Sequence, residues 1–309
     1  MESENNEINR KSIISFKDAN ILESTIREEM PEILNVLLID RTTSTTKRKK
    51  NIIWANENYI KYGRKTFAPT AQIKPELITG QMENIIMPRA LKSKELQKRR
   101  TKNKGEVFTV PWLVEKQNNE IEKKYTNDDL ETYIKRKWLE ITCGEGPYMV
   151  TRYNMATGEI IPLVKRVGFI DRKLSRVNNE VDNKSEWNRL VIEAYKASYG
   201  YEWSGDSLLL ARENLLYSFR DYYFSKWFKE PPYEFFLTIA KIISYNIFQM
   251  DGLKNIIPLS EKHVKVTETQ LSLFNENVFQ KREAIKTGKR VKIMNWEKNK
   301  LEYFDKGVK

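Results

Sequence analysis

Leu139-Glu140-Ile141-Thr142-Cys143-Gly144-Glu145-Gly146-Pro147-Tyr148-Met149 reads as the end of a strand, a tight glycine turn and the start of the next element. Gly144 and Gly146 are positions where a chain can turn sharply and let a ligand lie against bare backbone. Glu140 stands at the lip of that turn, where a carboxylate can accept hydrogen bonds from an amine or from hydroxyls. A nucleotide-like cofactor needs this arrangement at the carboxyl end of a sheet strand. An ordinary glycine turn in a core has the same residues, so the neighbours of the stretch decide between the two.

The chain around it has 309 residues, 40% of them apolar, enough for one large domain or a core domain with a smaller one. Its net charge of +12 and pI near 9.4 favour a polyanionic partner, although lysine-rich solubility produces the same balance. One cysteine, Cys143, and one histidine, His263, exclude a disulfide framework and any His/Cys zinc site within the chain. A Ser-His-Asp enzyme would have to use His263, which lies in the polar stretch Ser260-Glu261-Lys262-His263. No acids cluster at the metal spacing of a nuclease. No apolar run approaches about 18 residues, and the first residues are polar and acidic. The expectation is a cytoplasmic chain with no membrane span and no signal peptide.

Upstream of the glycine stretch, Thr42 to Lys50 is loop-like and ends Lys47-Arg48-Lys49-Lys50, a solvated run that beside DNA would contact phosphates. Asn51-Ile52-Ile53-Trp54, with Tyr59, Tyr62, Phe67 and Ile73, suggests a small module of short elements. Between Arg89 and Lys104 stand eight basic residues and one acid. That run predicts an exposed helix or connector, and a boundary between a basic module at 1–98 and a main domain at 99–309. Lys98, Arg99, Arg100, Lys102 and Lys104 are its candidate DNA contacts. Gly105-Glu106-Val107-Phe108-Thr109-Val110-Pro111-Trp112 follows, with Pro111 suited to a helix start and Thr109 able to cap it.

Downstream, Val164 to Ile170 reads as a strand ending at Asp171, and an acid there would suit ribose hydroxyls. Trp187 to Tyr199 has the apolar spacing of an amphipathic helix. Ser204-Gly205-Asp206-Ser207-Leu208-Leu209-Leu210 can open a further helix towards Trp227. Pro231-Pro232 starts another, with Phe236, Ile239, Ala240 and Ile243 on one face. Lys281–Lys292 is a candidate basic helix that would lie near DNA, and Lys292-Ile293-Met294-Asn295-Trp296 an edge strand.

Taken together, these stretches resemble the amino-methylating DNA methyltransferases. Their cofactor loop is written D-P-x-C-G-x-G-x-F; here Glu140 stands for the acid, Cys143, Gly144 and Gly146 match, Tyr148 replaces Phe and Ile141 replaces Pro. Phe108-Thr109 resembles the preceding F-T-P segment, with its proline displaced to Pro111. Gly168-Phe169-Ile170-Asp171 and Gly205-Asp206-Ser207-Leu208-Leu209 resemble the next two motifs in the same order. More narrowly, the chain resembles the methylase subunits of restriction-modification systems.

The resemblance implies an α/β fold, a Rossmann-like methyltransferase core with a mixed, mostly parallel seven-stranded sheet and a small N-terminal module. It implies S-adenosyl-L-methionine as cofactor, held by Phe108, Thr109, Glu140, Cys143, Gly144, Gly146, Asp171 and Asp206. The implied reaction is methyl transfer to the N6 amine of adenine in double-stranded DNA, with a restriction or specificity subunit as a further partner. The family's target-amine motif, D/N/S-P-P-Y/F/W, is not present. Its nearest counterpart is Asn246-Ile247-Phe248-Gln249, in which Asn246 would accept from the amine and Phe248 would stack on an extruded base. The helical spacing before it would instead place Asn246 on a helix. A degenerate subunit that binds cofactor or DNA and relies on a partner chain is the alternative.

Overall fold

The computed structural model describes residues 26, 28–104, 109–271 and 277–306. Helix α1 (Pro31–Leu38) starts on a proline, whose fixed φ suits a first turn, and buries Ile33, Leu34, Val36, Leu37 and Leu38. Short turns and the isolated bridges Ile39–Asn51 and Ile53–Gln72 then lead to α2 (Lys94–Lys104). Helix α3 (Pro111–Glu122) opens on proline at the position the sequence predicts. Helix α4 (Leu130–Lys135) is capped by Asp129, whose side chain accepts from the Thr132 N–H at 2.9 Å.

Strand β1 (Trp138–Glu140) comes next, and parallel pairing with it demands a long crossover. Helices α5 (Phe169–Glu180) and α6 (Lys184–Lys196) supply that crossover to β2 (Ser198–Glu202). Helices α7 (Gly205–Trp227) and α8 (Tyr233–Asn246) supply the second, to β3 (Ile247–Gln249). The sheet order is β1-β2-β3, parallel throughout, with Glu140 level with Gly200 and Glu202 level with Gln249. Antiparallel pairs β4 (Lys262–Leu271) with β5 (Asn277–Lys286) and β6 (Lys292–Asn295) with β7 (Lys300–Tyr303) complete the chain.

The seven-stranded Rossmann-like sheet expected from the sequence is therefore corrected. Among the described residues, eight α-helices accompany a three-stranded parallel sheet, and the other strands form two separate antiparallel pairs. Val164–Ile170 holds no strand. It contains a 3₁₀ turn (Leu163–Lys165) and the start of α5, where the Asp171 carboxylate accepts from the Gly168 N–H at 3.2 Å. A Cβ on Gly168 would lie 2.3 Å from the Met149 carbonyl oxygen, so glycine alone allows the chain to enter the helix there. The basic helix expected over Lys281–Lys292 is also corrected, since its first half belongs to β5, in register with β4 from Asn277↔Leu271 to Lys286↔Lys262.

One hydrophobic core draws Ile33, Leu37, Trp54 and Ile73 from the amino-terminal side of residue 98, with Trp187, Leu209, Phe219 and Ile243 from beyond it. Helix α7 is buried on nearly every side, as a helix at the centre of a core must be. It carries Arg212, fully buried, whose Nε donates to Ile247 O at 2.8 Å. Its Nη1 donates to the carbonyls of Leu37 and Ile39, and its Nη2 to Ser244 O. Those carbonyls lie where α1 and α8 end and β3 begins, so one guanidinium meets acceptors that the helices leave without partners.

The segment 51–56 lies beside the carboxyl ends of β2 and β3. Gln249 accepts from Ile53 N (2.9 Å) and donates to Ile53 O and Trp203 O (both 2.8 Å). Gly205 N donates to Trp54 O at 3.1 Å, and a Cβ on Gly205 would come within 2.1 Å of Ile53 O. No helix among the described residues is long and apolar enough to cross a membrane.

Candidate functional site

Ligands meet open α/β sheets at the carboxyl ends of parallel strands. Three such ends lie side by side here, and each carries an acid and an exposed apolar side chain. Glu140 and Ile141 end β1, Glu202 and Trp203 end β2, and Asp251 and Leu253 follow β3. Ile141 is 64% exposed, Trp203 37% and Leu253 97%, a threefold repetition of apolar surface that core packing does not explain. The Trp203 indole is oriented by its Nε1–H, which donates to Ala55 O at 2.7 Å.

The turn after β1 has positive φ at Thr142 (45°), Gly144 (55°) and Gly146 (77°). The two glycines do different jobs. A Cβ on Gly146 would sit 3.2 Å from Met149 Cε and 3.4 Å from Leu215 Cδ1, so this glycine lets the turn pack on α7. A Cβ on Gly144 would meet nothing within 4 Å, so Gly144 presents bare backbone to open space. Thr142 is a β-branched residue in the left-handed region, a local strain of the kind that concentrates at binding loops.

Two carboxylates grip this turn. Glu202 accepts from Gly144 N (2.9 Å) and Ser204 N (3.0 Å), and Glu140 accepts from Tyr148 N (3.2 Å) and Met149 N (2.9 Å). Burial pushes Glu140 up to about 8 against the pull of its two N–H donors, and the neighbouring Glu202 adds to the rise. Glu202 is also raised, by burial first and by Asp206 as a like charge. Cys143, buried nearby, has its thiol pushed well up by burial and then by both carboxylates. Neither acid owes its state to a neighbouring cation, and each keeps lone pairs beyond the two N–H groups it accepts.

Glu140 has a consequence for stability. Its folded pKa lies above the unfolded value, so the stability it contributes is present below about pH 4.5 and is lost as pH rises through about 8. Glu140→Gln is expected to flatten the decline in unfolding midpoint across that window, measured by urea titration at several pH values. A variant with the same decline as the parent would refute the assignment.

Several residues singled out by sequence lie elsewhere. Asp171 is buried in the first turn of α5, with one oxygen accepting from Thr151 N (2.7 Å), Thr151 Oγ1 (3.2 Å) and Gly168 N. It shapes that corner, and the acid at the second strand end is Glu202. Asp206, in the first turn of α7, accepts from Asn56 Nδ2 (2.9 Å), Tyr59 OH (2.6 Å) and Arg100 Nη2 (2.9 Å). Burial works to raise its pKa, but Arg100, Lys92 and the hydrogen bonds hold it well below the usual carboxylate range. Both its oxygens are engaged by the chain itself.

Arg100 is thereby corrected as a DNA contact, because it is buried against Asp206. Lys98 and Lys102 are exposed on α2, while the side chains of Arg99 and Lys104 lie outside the described residues. Phe108 also lies outside them. Thr109 is half-buried just before α3, and the hydroxyl of Tyr148, in the glycine turn, donates to Gln117 Oε1 of α3.

Asn246 and Phe248 are corrected as well. Asn246 ends α8 at the amino end of β3, the edge of the sheet opposite Gly144. Its Nδ2 donates to the carbonyls of Tyr195 (2.9 Å), Lys196 (3.0 Å) and Ser198 (3.0 Å), and its Oδ1 accepts from Trp296 Nε1 (2.8 Å). Both N–H groups are used, and the oxygen is buried against Trp296, where no target amine can reach it. Phe248 is buried with Tyr201, Met250, Ile257, Val291 and Ile293, where no base can stack on it.

Glu202, Trp203, Asp251 and Leu253 escaped sequence reasoning. The available signal was the repetition of an acid followed by an apolar residue after short β-prone stretches, Tyr199–Glu202 and Ile247–Gln249. Compared with family models, curated proteins and solved structures, the chain matches none.

Proposed function

We propose that the carboxyl edge of the β1-β2-β3 sheet binds S-adenosyl-L-methionine, and that the chain is a cofactor-binding subunit of a DNA-modifying system whose base-handling loop comes from a partner chain. The observation that carries this reading is the pair Glu140 and Glu202, two buried acids without a cation, set on either side of an open glycine backbone. Such acids favour a ligand that brings positive charge and hydroxyl donors. S-adenosylmethionine has an ammonium, a sulfonium and a ribose diol, and it would supply the methyl group.

The residues present fit that group. Glu202 can accept ribose hydroxyls with its remaining lone pairs, Gly144 allows close approach of backbone, and Trp203 and Leu253 offer apolar surface to a purine. Glu140 holds the turn through Tyr148 N and Met149 N while adding negative charge when ionised. The chain's own Asn246 and Phe248 are occupied in the fold, which favours the subunit reading over an adenine methyltransferase complete in itself.

Calorimetric titration with S-adenosylmethionine tests the reading. Removing one charged acceptor costs about 1.5–3 kcal/mol, so Glu202→Gln should weaken binding by roughly 10- to 100-fold. Because the acids are raised in the free protein, a cationic ligand should bind more tightly as pH rises towards about 8, releasing protons as it does. Absence of binding, or binding indifferent to Glu202→Gln and to pH, would remove this function.

A further inference from the structure

Away from the cofactor edge, two distant parts of the chain build a cationic cleft. Thr42 and Thr43 form one side, and Gly288, Lys289, Arg290, Lys292 and Tyr303 the other, around a volume of about 390 Å³. The sides are tied by Thr42, whose Oγ1 donates to Lys292 O (3.2 Å) and accepts from Lys292 N (3.1 Å). Thr42 and Thr43 lie on the turn-closing segment Asp40–Lys50, held by Asp40 N to Lys50 O (2.8 Å) and Thr45 N to Arg48 O (2.9 Å). The tip of that segment carries Lys47, Arg48 and Lys49, all exposed. Cations therefore run from the tip past the threonines to Lys289, Arg290 and Lys292.

The acids at hand offset this charge only in part: Asp305 neutralises Arg290, and the charge of the wall is carried by Lys289 and Lys292, with Lys47, Arg48 and Lys49 at the tip. Asp305 is bound to Arg290, which also lies 4.0 Å from the centre of the Tyr303 ring. Asp40 is buried and turned inward, accepting from Thr42 N (3.0 Å) and the Thr43 hydroxyl. Glu302 is bound by Lys298 and Asn295. The rim offers hydroxyls and cations, and its one large ring, Tyr303, is covered by Arg290 and Lys292 at 4.0 and 5.4 Å from the ring centre.

We infer that this cleft and the Lys47–Lys49 tip form the surface that contacts the phosphate backbone of double-stranded DNA, in place of helix α2. Hydroxyl and cationic side chains on a concave wall fix a duplex by its phosphates without reading sequence. The inference shares its DNA partner with the proposed function but uses none of the cofactor residues.

Fluorescence anisotropy with a short duplex of arbitrary sequence, over a series of KCl concentrations, provides the test. Each phosphate contact adds about 0.9 to the slope of log affinity against log salt. Lys289→Gln with Lys292→Gln is expected to reduce the slope by about 1.8, and Lys47→Gln, Arg48→Gln and Lys49→Gln together by about 2.7. Lys98→Gln with Lys102→Gln on α2 should leave it unchanged. The inference is overturned if the α2 pair flattens the slope and the cleft variants do not, or if the unaltered chain shows no duplex binding at low salt. It is also overturned if the cleft substitutions abolish binding to phosphatidylserine vesicles while duplex binding stays intact. S-adenosylmethionine titration on the same samples keeps the two readings apart. Loss of cofactor binding with DNA binding intact removes only the cofactor site, and the converse removes only this one.

Discussion

Arg212→Ala is expected to lower stability by at least about 4 kcal/mol and to leave much of the protein unfolded. Four carbonyls, those of Leu37, Ile39, Ser244 and Ile247, take their hydrogen bonds from this one side chain in a fully buried place. Each buried acceptor left without a donor costs about 1–3 kcal/mol, and four of them come to about 4 kcal/mol even at the low end. The whole stability of an ordinary domain is only about 5–15 kcal/mol. Arg212→Lys should recover part of the loss, because a single ammonium cannot reach acceptors on three elements at once. Urea midpoints of the three proteins decide the matter. A parent-like midpoint for the alanine variant would mean that water reaches those carbonyls.

Asp206→Ala should cost about 3–5 kcal/mol, because it breaks the buried pair with Arg100 by removing one partner. Asn56 Nδ2 and Tyr59 OH lose their acceptor in the same step, whereas Tyr59→Phe removes one hydrogen bond and should cost nearer 1 kcal/mol. The pH dependence distinguishes charge from packing. The folded pKa of Asp206 lies below the unfolded value, so its contribution is present above about pH 4 and is lost as pH falls towards the folded value. Asp206→Asn should be destabilised at neutral pH and lose the corresponding part of the acid transition. If the parent and the asparagine variant show parallel acid transitions, the Arg100–Asp206 pair is not what anchors α2.

These two positions also show what a sequence can and cannot disclose. Pro111 and Pro232 announce their helices because proline carries its own φ, and the turn at Gly144–Gly146 is legible because glycine tolerates what other residues do not. The parallel strands are three to five residues long, too short for alternation to register. Val164–Ile170 has strand-like composition, and only the Gly168 approach to Met149, a contact between separate stretches, turns it into a helix start. Arg100 looks like one more cation on a solvated face; the acid that buries it is 106 positions away. Asn246 resembles a reacting group because an aromatic residue, Phe248, follows it closely as in the target-amine motif, but it stands at the amino end of β3. Strand polarity, set by which helices cross over, has no signature in the four residues themselves.

The amino-terminal segment is held by residues made much later. Leu37 and Ile39 wait for Arg212, Ile53 for Gln249, and Thr42 for Lys292, which follows it by 250 positions. At a synthesis rate of about 5–20 residues per second, Thr42 spends roughly 12–50 s outside its native setting before Lys292 is made. Through that interval Ile33, Leu34, Leu37, Leu38 and Trp54, all destined for the core, are presented on the nascent chain. The time for which those side chains go without their native partners is therefore set by how quickly the intervening 250 residues are made.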